Sequence, residues 1–550
     1  MKFDVQASFV SLQEWRRTVV VSCCLALFGL TPYFYAYWRA APEFYFVGSL
    51  ERVGDQNIYF MWLSQIAQGK ILLQNLYTSI PHSGGMFNLV LFLVGLPAYL
   101  FGVSLDTCYL IGRFWSSCLL GLAAYGFIAL FFPQQDRLLT WFLVMFSGGL
   151  CWLTKLIRVA LHADHIMPFW PMSVDRWMLE IFPFTSILYV PLYSVAIACL
   201  LYLIRWSILG FLGNNGSYIY KTAGLFFLLS FIHPYDVTVF FALMWTAVAV
   251  LMILESEKRW HFFKQAFFIS ICGSVSVIYN FIMLRFNPGM YGWLLQNKYF
   301  SPAPYVYFLG FGVPFVFTIW WMISFFKEKQ YWTSPYLFLA SWIFVVPILC
   351  YLPLPFQGRM AVGVSTAFAI CMMKLLQNKQ QSLKIFFVAI SSLMAAYHIV
   401  HAISVINHPE DIRYQRAERR FIPIGEVAVF KQIAQINGEG TVLSTYGPGN
   451  LMPRFTAMPV VLGAWHQTEN FKWMRRVVRQ FYNGNMSSVA REKFLKEKRV
   501  SFVYYGSAEQ RLDIAKALPG WLESVGWKEI TNPQSQFRAF YCKNNKDAVK

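Results

Sequence analysis

Charge is the first thing this sequence lacks. Of its 550 residues 13% are charged and 57% are hydrophobic, where an average soluble domain carries roughly 25% charge. One water-soluble globule is therefore excluded. The hydrophobicity also excludes a disordered chain, and 10 cysteines in 550 residues are too sparse for a disulfide-stapled scaffold. Nine of those cysteines lie in or beside apolar runs, and Cys542 is alone in the charged tail, which leaves the tail without an internal disulfide. No cysteine pair has zinc-site spacing. Acidic residues are scarce too: 27 against 46 Lys+Arg, a net charge of +19. The chain has no nucleic-acid-binding motif, no fixed-period repeat and no P-loop, since Tyr446-Gly447-Pro448-Gly449-Asn450 lacks the lysine and the spacing. The excess positive charge thus points to lipid phosphate rather than nucleic acid.

What the chain has is apolar runs. They cover 18–38, 86–103, 107–132, 138–158, 184–204, 222–232, 237–254, 262–284, 304–326, 336–352, 359–377 and 385–406. Only helices suit such runs in lipid, because each backbone N–H must find its partner inside the protein. Arg16-Arg17 ahead of the first run marks it as a span rather than a cleaved signal. Charge density divides the chain: 39 charged residues in the first 410 positions, 34 in the last 140. The expected layout is an α-helical polytopic membrane domain, 1–410, with about 11–12 transmembrane helices, and a small soluble α/β domain, 411–550. In that tail 441–444, 500–505 and 537–541 read as strands, and 424–436, 470–482, 487–498 and 507–517 as helices.

Basic loops set the orientation. Arg16-Arg17, Lys258/Arg259/Lys264, Lys327–Lys329 and Lys374–Lys384 read as cytoplasmic. The loop 39–85, the stretch 285–303 and the tail then face outward. An inside start and an outside tail need an odd number of crossings, so either 86–103 or 222–232 does not cross. Residues 59–66 suit an interfacial amphipathic helix.

Several residues are placed to carry chemistry. Asp55, in the first outer loop, is either a helix N-cap or a carboxylate able to take a proton from a hydroxyl. His162, Asp164 and His165 form H-x-D-H, competent for a divalent metal or, through Asp164, a second catalytic carboxylate; the competing reading is a polar interfacial loop. Asp175, Arg176 and Glu180 read as a solvated ion-pair patch. His233-Pro234-Tyr235-Asp236 interrupts an apolar stretch, either as a kink capped by Asp236 or as polar groups lining a cavity. Arg359 opens a span after Leu352-Pro353-Leu354-Pro355-Phe356; its guanidinium fork fits phosphate oxygens, with Lys298 and Arg285 as helpers, and snorkelling to headgroups is the alternative. His466 and Glu469 are placed to cap a basic helix carrying Lys472, Arg475, Arg476 and Arg479, which suits either anionic headgroups or an acceptor.

The arginine-preceded first span, the long outer loop with Asp55, Gln68-Gly69, the Gln357-Gly358-Arg359-Met360 stretch and the tail segment Gly463-Ala464-Trp465-His466-Gln467-Thr468-Glu469 together resemble the GT-C superfamily of integral-membrane glycosyltransferases, such as protein O-mannosyltransferases and aminoarabinose transferases. The resemblance implies a polyprenyl-phosphate-linked sugar donor and a catalytic acid in the first outer loop, where Asp55 is the matching position. Many members carry a paired acidic motif there; this chain has Gly54-Asp55-Gln56. The expected activity is sugar transfer to an acceptor on the extracytoplasmic face, in a bacterial inner (plasma) membrane with the tail outside the cytosol and membrane lipids as surroundings. The competing readings are a transporter or lipid flippase, and a non-catalytic membrane partner.

Overall fold

A computed structural model describes residues 9–161, 173–213, 215–408, 419–436, 439–531 and 535–542. The chain forms two compact units. One comprises Met1–Pro32, Leu110–Tyr279 and Lys298–Ala402; the other comprises Tyr33–Tyr109, Asn280–Asn297 and Ile403–Lys550.

Among the described residues seven helices are long and apolar enough to cross a membrane: Leu12–Arg39, Leu105–Ile128, Pro191–Phe211, Tyr235–Leu254, Ser256–Phe286, Pro304–Lys327 and Gln381–Asn407. An eighth arises if Gln134–Phe146 and Cys151–Ala160, bent by 53°, form one broken span. Leu89–Phe101, Tyr336–Tyr351 and Ser365–Leu376 are shorter apolar helices. The two runs weighed as non-crossing become helices of 13 residues (Leu89–Phe101) and 14 residues (Gly216–Leu229). At 1.5 Å per residue each is ~20 Å long, short of a ~30 Å hydrocarbon core.

In the first unit, 83% of the apolar window of Pro191–Phe211 is buried, against 22% for Ser256–Phe286. The former is packed all round by other helices; the latter turns most of its apolar surface outward, as lipid permits. Two buried ion pairs cross between helices of this unit: Arg137 with Glu14 at 2.9 Å and Lys384 with Asp136 at 2.9 Å. Away from water such charges persist only in pairs.

The run 138–158, expected as one helix, is interrupted after Phe146. The reason is a backbone-to-backbone approach. A Cβ on Gly149 would lie 2.1 Å from the Gly310 carbonyl oxygen, so only glycine fits. The opposing helix kinks there as well, at Gly312 (φ 59°, ψ −145°). The N–H groups freed by the break donate elsewhere: Gly148 to the Ser391 carbonyl and Leu150 to the Leu309 carbonyl, both at 2.9 Å. Asp175 accepts from the Cys151 N–H at 3.2 Å and also bonds Ser173. Asp175, Arg176 and Glu180 are thus buried rather than a solvated patch. Burial pushes the Asp175 carboxyl up to about 7, against the lowering effect of Ser173 and the backbone N–H groups.

In the second unit the first outer loop, the segment 280–297 and the tail share one framework. Strand β1 (Phe44–Phe46) pairs antiparallel with β2 (Phe421–Pro423). A four-stranded sheet, in the order β3 (Thr441–Leu443), β4 (Val500–Tyr505), β6 (Arg538–Tyr541), β5 (Lys528–Glu529), has β3 parallel to β4 and the other pairs antiparallel. Its strands match the three expected from sequence, plus the short β5. The Val460 N–H donates to the Leu76 carbonyl at 2.8 Å, and Asn75 Nδ2 donates to the carbonyls of Gly289 (2.8 Å) and Gln467 (3.0 Å).

Candidate functional site

Asp55 stands in the first turn of the helix Val53–Ile66. The expected amphipathic helix over 59–66 is corrected here: 11 residues of Val53–Ile66 are buried, including Gln56, Asn57 and Gln65. The helix is a packed strut, because the tail helix Tyr446–Thr456 lies against it. Asn57 Nδ2 donates to Asn450 Oδ1 at 2.8 Å, Asn450 Nδ2 donates to the Gly54 carbonyl at 3.3 Å, and Ser64 Oγ donates to the Pro453 carbonyl at 3.0 Å.

The N-cap reading of Asp55 is also corrected. The N-cap residue is Arg52, held left-handed at φ 50°, with no side-chain cap bond. The Asp55 carboxylate is instead 39% exposed and faces the Arg52 guanidinium at 3.6 Å. A carboxylate on a rigid helix, near the positive end of its dipole and open to solvent, is available to a substrate hydroxyl.

Arg454, on Tyr446–Thr456, locks this arrangement. Its guanidinium donates to the Val47 carbonyl at 2.6 Å and to Tyr45 Oη at 3.1 Å, pairs with Asp106, and lies 3.6 Å from the Phe60 ring centroid. Tyr45 also donates to Asp106. The sequence reading missed Arg454 and Asp106. It missed the helix of Arg454 because Gly447, Pro448, Gly449 and Pro453 are poor helix formers; packing overrides that preference.

The first unit assembles a second cluster around Arg359. Nη1 lies 3.4 Å from Glu180 Oε1 and donates to Tyr193 Oη at 3.2 Å. The guanidinium carbon sits 4.7 Å from the Tyr299 ring centroid and 5.2 Å from that of Tyr235. The buried Arg359 Nε has no hydrogen-bond partner among the described residues. Gly358 permits the cage: a Cβ there would lie 2.7 Å from Tyr299 Cδ1 and 2.9 Å from the Phe300 carbonyl oxygen.

His233 and Asp236 join the same cluster. The break at Pro234 leaves His233 Nδ1 2.7 Å from Asp236 Oδ1, and the His233 ring lies 5.5 Å from that of Tyr193. Asp236 does not cap its helix; Pro234 holds the N-cap position without a side-chain bond. Asp236 Oδ2 is buried without a partner among the described residues. The structure therefore brings Arg359, His233 and Asp236 together and adds Glu180, Tyr193, Tyr235 and Tyr299. Lys298 is exposed in the same unit, next to Tyr299. Arg285 is exposed in the other unit, with its guanidinium 4.9 Å from the Tyr291 ring.

His162, Asp164 and His165 lie outside the described residues. Among the described residues no three His, Cys, Asp or Glu side chains are grouped to hold a metal ion. His466 and Glu469 do not take the cap of the basic helix; Asn470 does, without a side-chain cap bond.

Comparison with solved structures gives the fold. The oligosaccharyltransferase AglB from Archaeoglobus fulgidus, in complex with an inhibitory peptide and a dolichol-phosphate, matches with TM-score 0.50 at 10% identity, over 98% of this chain and 75% of that one. ArnT from Cupriavidus metallidurans, bound to undecaprenyl phosphate, matches with TM-score 0.51 at 10% identity, over 96% of this chain and 98% of that one. The chain shares the fold of these two structures. Its apolar helices make it an integral, multi-pass membrane protein. No family model and no curated protein matches it.

Proposed function

We propose that this protein transfers a sugar from a polyprenyl-phosphate-linked donor to an acceptor hydroxyl on the extracytoplasmic face of a bacterial inner membrane, its basic loops marking the opposite, cytoplasmic side. The observation that carries the reading is the Arg359 cage on a GT-C fold. A half-buried guanidinium whose Nε–H has no partner among the described residues, beside aromatic faces and a polar helix break, suits a phosphate at membrane depth. The two solved relatives of this fold hold dolichol-phosphate and undecaprenyl phosphate.

In this mechanism the acceptor hydroxyl loses its proton to Asp55 as its oxygen bonds the anomeric carbon. The bond from that carbon to the phosphate oxygen breaks, and the lipid phosphate leaves with the electron pair. Arg359 stabilises the charge growing on the phosphate. Tyr193 and Glu180 fix the guanidinium, and the His233–Asp236 pair supplies the polar wall beside it. Direct displacement inverts the anomeric centre.

The test is transfer of label from a panel of polyprenyl-phosphate sugars by the full-length protein in nanodiscs. Asp55→Asn is expected to lower transfer ~10²–10⁴-fold, the range of a lost general base. Because the Asp55–Arg52 pair is partly exposed at 3.6 Å, stability should move by no more than about 1 kcal/mol. Equal transfer by Asp55→Asn and wild type removes Asp55 from the base role.

A transporter is the second reading, favoured by the facing breaks at Gly149 and Gly312, since discontinuous helices line transport sites. Movement of a fluorescent polyprenyl phosphate between leaflets, without sugar transfer by any donor, would select it.

A further inference from the structure

The helix Phe471–Tyr482 has two unlike faces. Met474, Val478, Phe481 and Tyr482 are buried in the tail core with Leu443, Val461, Val500 and Val503. On the other side Lys472, Trp473, Arg475, Arg476 and Arg479 are exposed, and Trp473 retains 55% of its surface. None of the four cations makes a salt bridge among the described residues. Trp465, 46% exposed, precedes the helix by a few residues. These four cations, without an ion pair among the described residues, and the exposed indole form a surface that holding the sheet together does not require, because the opposite face does that.

The chain's own connections place this unit at a bilayer surface. It contains the ends of four membrane-spanning helices: Tyr33–Arg39, Leu105–Tyr109, Asn280–Phe286 and Ile403–Asn407. It also exposes Leu93, Tyr99, Leu100 and Phe101 on the short apolar helix Leu89–Phe101. The start of the basic helix is tied to the segment that leaves one of those spans. Gln296 Oε1 accepts from the Phe471 N–H at 3.2 Å, and Gln296 Nε2 donates to the Thr468 carbonyl at 2.7 Å. Gln296 follows Phe286 by one short helix, Pro288–Gln296.

We propose that the exposed face of Phe471–Tyr482 docks on anionic phospholipid headgroups of the leaflet from which these helices emerge. The cations meet lipid phosphates and Trp473 sits at headgroup depth, where amphipathic rings collect. Each Lys or Arg near an anionic surface strengthens binding about fivefold, and salt screens the effect. The acid nearest in sequence, Glu469, has its Cβ and Cγ beside Gly292 and makes no ion pair with these cations among the described residues.

The test uses full-length protein in nanodiscs of phosphatidylcholine alone or mixed with phosphatidylglycerol, read by hydrogen exchange of peptides spanning 471–482. Strand β4, Val500–Tyr505, is the internal reference for folding. Anionic lipid should slow exchange in 471–482 several-fold. High salt and the double variant Arg475→Glu/Arg476→Glu should each abolish the slowing while β4 is unchanged. If charge reversal disturbs β4, Lys472→Gln/Arg479→Gln should still reduce the slowing. Equal exchange in the two lipids overturns the proposal. So does slowing that appears only when a soluble polyanion such as heparin is added to neutral discs, which would assign the face to an acceptor.

Discussion

Replacing Arg454 by methionine removes a guanidinium whose side chain is 2% exposed while keeping most of the apolar volume it fills beside Phe60. Three acceptors then lose that donor: the Val47 carbonyl, bonded at 2.6 Å, Tyr45 Oη, bonded at 3.1 Å, and the Asp106 carboxylate, which keeps the Tyr45 hydroxyl. Breaking a buried pair from one side costs about 3–5 kcal/mol. Asp106→Asn should cost less, about 1–2 kcal/mol, because the amide oxygen still accepts from Arg454 and the Tyr45 hydroxyl can turn to accept from the amide N–H. The double variant Arg454→Met/Asp106→Leu strands no charge and should recover part of the loss, a coupling that the four-member cycle isolates. Denaturant unfolding in detergent gives the energies, and hydrogen exchange of 53–66 locates them: the Asp55 helix should loosen first, since Phe60 lies on it under Arg454. A loss below about 1 kcal/mol for Arg454→Met, or no recovery in the double variant, refutes the view that this cluster holds that helix.

Gly358→Ala puts a Cβ into the Tyr299 ring edge and the Phe300 carbonyl oxygen. It should cost roughly 1–3 kcal/mol of stability and raise the KM for the lipid-linked donor more than it lowers kcat; an unchanged KM would separate the cage from donor binding. Asp175 titrates near 7 when folded, against 3.8 ordinarily, so the folded state holds its proton more tightly. Its contribution is fully present below pH ~4 and is lost as pH rises to ~7, roughly 4 kcal/mol at most. Asp175→Asn keeps an acceptor for the Cys151 N–H without the charge. It should flatten that slope in thermal unfolding and be at least as stable as wild type at pH 8; an unaltered slope would assign the pH dependence to other groups.

The helical body and the tail strands were legible because each is a local pattern: long apolar runs, and short β-branched and aromatic runs such as Val500–Tyr505. Arg359, His233 and Asp236 were legible for a different reason. Each interrupts an apolar context, and a polar group there needs a partner. Glu180 carried the same signal but read as solvated, because its neighbours Asp175 and Arg176 suggested a surface cluster. What the sequence hid was tertiary. Helix Tyr446–Thr456 forms against its own glycines and prolines because Asn57, Ser64 and Tyr77 bond its backbone and side chains. The break at Gly148-Gly149 depends on a glycine far along the chain, which no local window contains.

That break has a consequence for how the protein is made. The N–H groups of Gly148 and Leu150 donate to carbonyls at Ser391 and Leu309, which emerge from the ribosome about 240 and 160 residues later, tens of seconds at ordinary synthesis rates. Until then the backbone that forces the break is absent, and 138–158 is free to run as one helix with those N–H groups bonded to its own carbonyls. The break must therefore form late, as the later helices arrive. Nascent chains truncated ahead of residue 309 should carry this segment as an unbroken helix; a break already present in them would refute the account.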